Sequence, residues 1–324
     1  MSNAINTNQN KIKLLESVFG ESSLANAGTN IAVVCPVCKN NSKNSSTKKK
    51  LSIDLDKGIY HCWVCESKGK NIGFFVKKNT NASKQLITSI YEVFEFKIDI
   101  KSEKEETILT LPDDFSLLYN NDTRQGRIAI DYLKNRGLTT DDFLKYKIGI
   151  SNEYEFINRV IFPSFCDDLK LNFFLSRTFD PVQKIKYRNC DGKKKDIIFN
   201  EYMIDWSKQV VLVEGVFDAI KAGPNAIPIL GGWIDENHAV FRRLVIENSD
   251  VVMCLDPDAY EKSLKIAKSL SEYGNKVWVS QHKEKDFGEM STKETEFWIK
   301  NSKLYEQTDR MTYLIQSIRS GSMF

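Results

Sequence analysis

The stretch QVVLVEGVFDAIKAGPNAIPIL, residues 209–230, contains two short apolar runs that bracket a segment predicted to be helical. The same alternation continues downstream. The predicted order is strand, helix, strand, helix, strand, helix, strand, over residues 209–214, 215–222, 226–230, 235–248, 250–256, 260–273 and 276–280. Strands that are almost continuously apolar and alternate with helices are typical of a parallel sheet covered by helices. We therefore predict an α/β fold for this part of the chain.

Acidic residues follow three strands of this predicted sheet. Glu214 closes the first strand, Asp256 and Asp258 close the third, and Asp286 follows the fourth after a short loop. The carboxyl ends of parallel strands gather in one crevice, so these side chains are expected to lie close together. Carboxylates at close range repel one another unless a cation neutralises them, and oxygen ligands favour Mg²⁺ or Mn²⁺. A helix N-cap would explain either aspartate alone, but the full set favours a metal site.

Two pairs of cysteines, Cys35-Pro-Val-Cys38 and Cys62-Trp-Val-Cys65, lie in the N-terminal part and are separated by 23 residues. Each pair can turn two thiolates towards one ion, and two pairs complete a tetrahedral site for structural Zn²⁺. Between them, residues 51–55 alternate apolar and polar side chains before a turn, as expected of an antiparallel zinc ribbon. A redox pair of the thioredoxin type needs one such motif rather than two.

Two side chains flank Cys62 in the second pair. His61 could replace a cysteine as a ligand, although a surface position is the commoner role for a histidine there. Trp63 lies at the tip of the turn, where it could stack on a nucleic-acid base or pack across the ribbon. A closed site of four thiolates holds structure together rather than doing chemistry, so the ribbon is predicted to be a recognition module.

Composition divides the chain into five segments. The predicted segments are a zinc ribbon, a flexible linker, a basic α+β subdomain, the subdomain with the parallel sheet and a helical tail, over residues 1–78, 79–107, 108–207, 208–289 and 290–324. The linker contains an apolar stretch, residues 86–96, that could form one helix. In the third segment, residues 158–165 and 169–179 are β-branched and aromatic runs separated by a short polar turn, which predicts a hairpin.

The net charge of the chain is +3, but its distribution is uneven. Residues 1–78 contain twelve Lys and no Arg against five Asp or Glu, a balance of +7. Such an excess attracts phosphate, although a solvated lysine-rich surface explains it equally well. No apolar run is long enough to span a membrane and the first residues lack the core of a signal peptide, so a cytoplasmic location is the default expectation.

The motifs VLVEGVFDAI and CLDPDAY resemble the TOPRIM domain, the fold with Glu-Gly and Asp-x-Asp motifs that primases and topoisomerases share. The segments AIDYLKNRGLT, YKIGI, NRVIFPSF, SRTFD and KIKYRN are similar to the region that precedes TOPRIM in bacterial-type and tailed-phage primases. CPVC and HCWVC are similar to the zinc-binding domain of the same phage enzymes. The resemblance covers most of residues 31–290 in the family order, and this combination is far more specific than a TOPRIM motif alone.

This resemblance implies a DNA primase that makes short RNA primers on single-stranded DNA from ribonucleoside triphosphates, in the host bacterial cytoplasm if a phage encodes the chain. It implies that catalytic Mg²⁺ or Mn²⁺ is held by Glu214, Asp256, Asp258 and Asp286. Glu214 could instead help to deprotonate the attacking 3′-hydroxyl. The implied template- and nucleotide-binding residues are Arg159, Arg177, Lys186, Tyr187, Arg188, Asn189 and, in the ribbon, Trp63. A solvated hairpin surface is the alternative role for each basic residue on its own.

One family motif is incomplete in this chain. The third TOPRIM motif usually reads Asp-x-Asp, whereas residues 286–289 read Asp-Phe-Gly-Glu, so no second Asp follows Asp286 at that spacing. The chain also contains no P-loop motif, which predicts that a primase of this type works with a separate replicative helicase.

Three other functions fit parts of the pattern. A DNA-binding clamp of the RecR type also joins a four-cysteine zinc site to TOPRIM, but the two are nearly adjacent there, whereas about 145 residues separate Cys65 from the first strand here. A topoisomerase needs a strand-passage domain with a nucleophilic tyrosine, and only about forty residues follow Asp286. A TOPRIM nuclease is harder to exclude, because the same metal site can cleave.

Overall fold

The computed structural model describes residues 2–39, 48–69, 71–94, 109–282 and 287–320. The chain divides into two compact units, over residues 1–99 and 100–324, and each has its own hydrophobic core. Asp286 and residues 95–107 of the predicted linker lie outside the described residues. Within the described part of the chain, no helix has the length and apolar character needed to cross a lipid bilayer.

The first unit contains a five-stranded antiparallel sheet with helices before and after it. Its elements are α1 (Ser2–Phe19), β1 (Ser23–Ala25), β2 (Asn30–Val34), α2 (Pro36–Lys39), β3 (Lys49–Asp54), β4 (Tyr60–Cys62), β5 (Lys68–Gly69), α3 (Ile72–Asn79) and α4 (Lys84–Val93). The strands follow one another in the order β1-β2-β3-β4-β5. Ile31 and Val33 of β2 are paired with Ile53 and Leu51 of β3, and all four are buried. The alternation in the sequence therefore forms the inner face of the predicted ribbon.

Helix α4 belongs to the core of the first unit. Ile90 is fully buried, and Phe94, directly after the helix, is 4% exposed. Both residues pack in the same cluster as Leu15 of α1, and Ile87 lies against that cluster. Ile87, Ile90 and Phe94 recur at helical spacing, which gives the segment one apolar face to bury. The flexible linker was predicted to begin at residue 79, whereas the first unit extends through α4.

The second unit begins with a second antiparallel sheet. Its elements are β6 (Ser116–Leu117), α5 (Arg124–Asn135), α6 (Thr140–Lys145), β7 (Gly149–Ile150), β8 (Arg159–Phe165), β9 (Leu171–Thr178) and β10 (Tyr187–Asn189). The strand order is β10-β9-β8-β7-β6. β8 and β9 pair in antiparallel register on either side of a turn, which Cys166 closes by donating its N–H to Lys170 O at 3.0 Å. The predicted hairpin is therefore present.

The rest of the second unit is built on a mostly parallel sheet. Its elements are β11 (Val210–Val213), α7 (Val216–Ala222), β12 (Ala226–Pro228), α8 (Ala239–Glu247), β13 (Val251–Cys254), α9 (Tyr260–Glu272), β14 (Val277–Val279), α10 (Thr292–Lys300), β15 (Lys303–Leu304) and α11 (Gln307–Ser320). The strand order is β12-β11-β13-β14-β15, and only β15 runs antiparallel. The predicted parallel sheet is thus confirmed. The predicted helical tail contributes an edge strand as well as helices.

Both faces of the parallel sheet are buried. Val210 and Leu212 of β11 pack in one hydrophobic cluster, and Val211 and Val213 pack in another. Successive side chains of a strand point to opposite faces, which explains the continuous apolar runs in the sequence. Phe217 of α7 packs in the cluster of the antiparallel sheet, so the two sheets of this unit share buried contacts.

Candidate zinc and carboxylate metal sites

The four cysteines of the first unit lie around one point. Cys35 and Cys38 lie where β2 ends and α2 begins, whereas Cys62 ends β4 and Cys65 lies in the turn that follows. Both pairs are held in similar turns, because Lys39 N donates to Cys35 O and Glu66 N donates to Cys62 O, each at 3.0 Å. The Sγ atoms of Cys35 and Cys65 are 3.8 Å apart, and those of Cys38 and Cys62 are 3.6 Å apart.

This arrangement fits a tetrahedral zinc ion. Four sulfurs at about 2.3 Å from one Zn²⁺ are separated from one another by about 3.8 Å, and all four Sγ atoms lie within 4.8 Å of one another. Burial and the neighbouring thiols raise the pKa of Cys35 and raise that of Cys38 to about 11. Burial also opposes ionisation of Cys65, but hydrogen bonding with Ser67 lowers its pKa to about 7. A cation that binds the thiolates would offset the cost of burying them.

Trp63 is the most exposed side chain of the second cysteine turn, at 67%. The ring of His61 lies against its edge, with centroids 4.3 Å apart. His61 Nε2 is 3.2 Å from Glu66 Oε2. His61 does not belong to the four-cysteine group. Its imidazole instead packs against the exposed indole of Trp63.

Glu214, Asp256 and Asp258 converge at the carboxyl edge of the parallel sheet. Glu214 directly follows β11, and the two aspartates follow β13 within and beside a 3₁₀ turn over Pro257–Ala259. Ligand oxygens of the three carboxylates lie within 4.8 Å of one another. Helix α9 has Ala259 at its N-cap, and no side-chain capping bond is present at either helix start. The capping explanation for the two aspartates therefore fails.

A divalent cation fits among these three side chains. An octahedral ion with bonds of about 2.1 Å places its oxygen ligands about 3 to 4 Å apart, which is compatible with oxygens that lie within 4.8 Å of one another. Glu214 Oε2 is buried and has no hydrogen-bond partner within the ranges that the structure describes. A buried carboxylate oxygen without a partner is energetically costly, and a cation would remove that cost. The fourth predicted carboxylate, Asp286, lies outside the described residues.

Helix α7 carries two residues beside this edge that the sequence analysis did not single out. Asp218 Oδ2 accepts a hydrogen bond from Gly215 N at 2.7 Å, directly beside Glu214. Lys221 Nζ donates to Gly288 O at 2.5 Å and to Met290 O at 3.0 Å. The signal for Asp218 was present in the sequence, since an acidic residue three positions after a helix start commonly reaches back to that start. The contacts of Lys221 are long-range and left no local pattern.

Strand β10 divides the predicted template-binding residues between the two faces of its sheet. Tyr187 is paired with Arg177 of β9, and the Arg177 guanidinium carbon lies 4.6 Å from the centroid of the Tyr187 ring. Arg188, one position along, is paired with Ser176 and points to the opposite face. There its Nη1 lies 3.3 Å from Glu155 O and 3.8 Å from Glu155 Oε2. Arg177 with Tyr187 and Arg188 with Glu155 therefore form two separate patches.

The patch around Tyr187 is the one that lies near α7. Burial raises the pKa of Tyr187, Arg177 and Arg136 oppose that shift, and Asp218 adds to it. Arg136 also stacks on Phe217 of α7, with its guanidinium carbon 4.4 Å from the ring centroid. Arg136 is thus a cation near the carboxylate edge that the sequence analysis quoted within KNRGLT but did not name.

The remaining predicted basic residues differ in exposure. Lys186 and Asn189 are exposed beside and on β10. Arg159 is only 4% exposed, and its guanidinium donates to Ile185 O at 2.7 Å, Gln183 Oε1 at 2.9 Å and Lys186 O at 3.3 Å. Arg159 therefore supports the loop before β10 and does not lie on the surface where a template would bind. Its charge suggested a surface residue, but its three acceptors are distant in sequence.

Comparison with known protein families agrees with the zinc site. Residues 1–106 match the family of the CHC2 zinc finger. The chain is 22% identical over 308 residues to a DNA primase of Campylobacter jejuni, covering 79% of this chain and 49% of that protein. It is also 22% identical over 338 residues to a DNA primase of Staphylococcus aureus, covering 86% of this chain and 55% of that protein. The chain spans about half the length of the curated relatives it matches.

Solved primase structures also align with the chain. The alignment with the Aquifex aeolicus primase, solved with its zinc-binding and RNA polymerase domains, covers 97% of this chain and 88% of that structure. The sequence identity is 16% and the TM-score is 0.46. A DnaG catalytic core covers 58% of this chain and 77% of its own at 17% identity and a TM-score of 0.49.

One unit thus contains a four-cysteine site in a zinc ribbon, and the other contains a carboxylate cluster at the edge of a parallel sheet. The sequence similarity along most of the chain is to DNA primases of bacteria.

Proposed function

We propose that this protein is a DNA primase, a DNA-directed RNA polymerase that makes short RNA primers on a single-stranded DNA template. The observation that carries the proposal is the convergence of Glu214, Asp256 and Asp258 at the edge of the parallel sheet, in a chain similar to primases over about four fifths of its length. Primer synthesis would take place on replicating DNA in the bacterial cytoplasm.

The carboxylate edge is the proposed catalytic centre. When bound there, Mg²⁺ or Mn²⁺ supplies a Lewis acid for in-line attack of a hydroxyl on a nucleoside triphosphate. Asp256 and Asp258 would hold the ion from one loop and Glu214 from another, with Asp286 as a fourth candidate. The buried, unpartnered Oε2 of Glu214 could alternatively accept the proton of the attacking 3′-hydroxyl. Hydrogen bonding of Asp218 to Gly215 N orients the main chain at Glu214.

We place template and nucleotide binding on the face of β10 that carries Arg177 and Tyr187. The stacked pair offers a cation for phosphate and an aromatic face for a base. Lys186, directly before β10, and Asn189, its last residue, would add contacts at the two ends of this strand. Arg188 is a weaker candidate because it lies on the other face, beside Glu155.

In the first unit, Trp63 is the proposed contact with template bases. Its exposure of 67% and its support by His61 give a rigid aromatic surface beside the zinc site. We also propose that a separate replicative helicase unwinds the duplex for this protein, because the chain contains no P-loop.

Primer synthesis on mixed-sequence single-stranded DNA tests this function. Labelled ribonucleotides and Mg²⁺ would be supplied to the wild type and to Asp256→Ala, with Asp250→Ala as a matched aspartate variant before the same strand. We expect short RNA products from the wild type and from Asp250→Ala, and at least a hundredfold less from Asp256→Ala. Metal-dependent cutting of the template without synthesis would instead identify a nuclease. DNA binding with neither reaction would favour a clamp.

A further inference from the structure

Lys221 holds a turn of the chain against the helix that begins at the carboxylate edge. It lies on α7, and its Nζ donates to the main-chain oxygens of Gly288 and Met290 at 2.5 and 3.0 Å. These acceptors belong to or adjoin the 3₁₀ turn Phe287–Glu289. Phe287, which is fully buried, anchors the other side of the same turn in the core.

The turn held by Lys221 contacts the side chain that orients the Glu214 loop. A Cβ atom placed on Gly288 would lie 2.6 Å from Asp218 Oδ1, so the glycine backbone closely approaches that carboxylate. The other oxygen of Asp218 accepts the Gly215 N–H at 2.7 Å. A continuous series of contacts therefore runs from Lys221 through Gly288 and Asp218 to the main chain beside Glu214.

The two hydrogen bonds of Lys221 hold its ammonium in place. Burial and Arg136 lower the pKa of Lys221, although Asp218, Glu289 and Glu294 oppose this shift. An ammonium with two carbonyl acceptors in a half-buried position has little freedom to move. The lysine thus gives the turn a fixed position relative to α7 that an apolar side chain could not supply.

We infer that Lys221 is a positioning residue for the carboxylate site, acting through the Phe287–Glu289 turn and Asp218 to fix the main chain that carries Glu214. The inference rests on the proposed metal-dependent function. It is independent of the template, because it concerns how strongly the protein binds a divalent cation in the absence of nucleotide and DNA. It also gives a role to Gly288, the position at which the usual third TOPRIM motif would carry its second aspartate. Here the absence of a side chain leaves room for the Asp218 carboxylate.

Binding of Mn²⁺ to the full chain, without nucleotide or DNA, tests the inference. Free Mn²⁺ would be measured by electron paramagnetic resonance for the wild type, Lys221→Met, Lys221→Arg and Lys268→Met. Lys268 is a partly exposed lysine paired with Glu272 on α9 and serves as the matched control. Removing groups that orient metal ligands typically weakens binding by about 10- to 100-fold. We expect about tenfold weaker binding for Lys221→Met, partial recovery for Lys221→Arg and no change for Lys268→Met.

Hydrogen exchange provides a second readout that does not depend on metal. The Met290 amide, which donates to Phe287 O at 3.2 Å, should exchange faster in Lys221→Met while the amides of β11 and β13 keep their protection. Lys221→Gln, which retains an uncharged NH₂ donor group, replaces the methionine variant if that protein does not fold. Wild-type Mn²⁺ affinity in a folded Lys221→Met protein would overturn the inference and leave the primase proposal intact. If Asp256→Ala binds Mn²⁺ as tightly as the wild type does, both the inference and the proposed carboxylate metal site would be overturned.

Discussion

Individual residues beside the carboxylate edge are constrained more tightly than their sequence context suggests. Gly288 does not adopt a left-handed backbone conformation. A glycine is therefore required at this position only because a side chain would not fit. The atom in the way of a side chain is Asp218 Oδ1, and Asp218 is itself held by Gly215 N. Moving the carboxylate aside would therefore break a hydrogen bond next to a proposed metal ligand.

The first prediction concerns Gly288→Ala. The added methyl group should displace the Asp218 carboxylate and break its hydrogen bond with Gly215 N. We expect Mn²⁺ binding to weaken by about tenfold, the lower end of the range of about 10- to 100-fold for loss of a group that orients a metal ligand. Gly231→Ala is the matched control, since a Cβ there meets nothing closer than 3.9 Å. Titration of both variants with Mn²⁺, together with thermal melting, checks the prediction. Equal affinities for the two variants would contradict it.

The second prediction concerns Glu201, which is 2% exposed. Burial raises its pKa to about 6 from an ordinary value of 4.5, although Arg243 opposes the shift. Between these values the folded state binds more protons than the unfolded state, so the free energy of unfolding falls as the pH rises from about 4.5 to about 6. The loss is about 2 kcal/mol at 1.36 kcal/mol per pKa unit.

Glu201→Gln removes the titrating group, so this part of the pH dependence should disappear. The measurement is urea unfolding of the second unit at pH 4.5 and pH 7 for the wild type, Glu201→Gln and the half-exposed Glu261→Gln. The change in the free energy of unfolding between pH 4.5 and pH 7 should differ by about 2 kcal/mol between Glu201→Gln and the other two proteins. An identical pH dependence in all three would show that burial does not perturb Glu201.

At the level of elements, the sequence predicted what depends on long, uniform patterns. The runs at residues 209–214 and 250–256 became β11 and β13 because parallel strands bury both faces and therefore read as continuously apolar. β15 spans two residues and has no pattern of its own, since it forms by pairing with β14. Segment 84–93 has an apolar helical face, but only the fold of the first unit shows what covers that face.

The same distinction applies to the candidate sites. The cysteine pairs and the carboxylates at strand ends could be predicted because local spacing and sheet topology bring them together. The burial of Arg159, the opposite orientation of Arg188 and the contacts of Lys221 could not. Each depends on partners that are distant in sequence or on the register of β10, where a shift of one residue exchanges the two faces.

The third prediction concerns the zinc ribbon as an element. Cys35, Cys38 and Cys62 lie within the core cluster of the first unit, so zinc binding and folding of this unit are coupled. Cys62→Ser, or removal of zinc by a chelator, should abolish amide protection in β3 and β4 and leave β11 and β13 protected. Cys166→Ser, which lies outside the site, should behave as the wild type. Hydrogen exchange followed by mass spectrometry measures both units in one sample, and retained protection of β3 without zinc would contradict the prediction.

At the scale of the whole molecule, the two units carry different kinds of proposed contact with one template. The first offers Trp63 in a lysine-rich segment, and the second offers the stacked pair Arg177 and Tyr187. Two modules joined in one chain bind a shared ligand more tightly than either alone, provided that the ligand reaches both. A short oligonucleotide that occupies one module gains nothing from the other.

The last prediction follows from this difference in reach. Trp63→Ala should weaken binding of a 30-nucleotide single strand by about tenfold, since stacking contributes about 1–3 kcal/mol per base. It should leave binding of a six-nucleotide strand to the second unit unchanged, whereas Arg177→Ala should weaken both. Fluorescence anisotropy at fixed salt measures all four combinations, with Trp233→Ala as a control for loss of a partly exposed indole in the second unit. If Trp63→Ala has equal effects on the two lengths, the two units do not share a template, and the ribbon would then act on a strand of its own or on one held by another molecule.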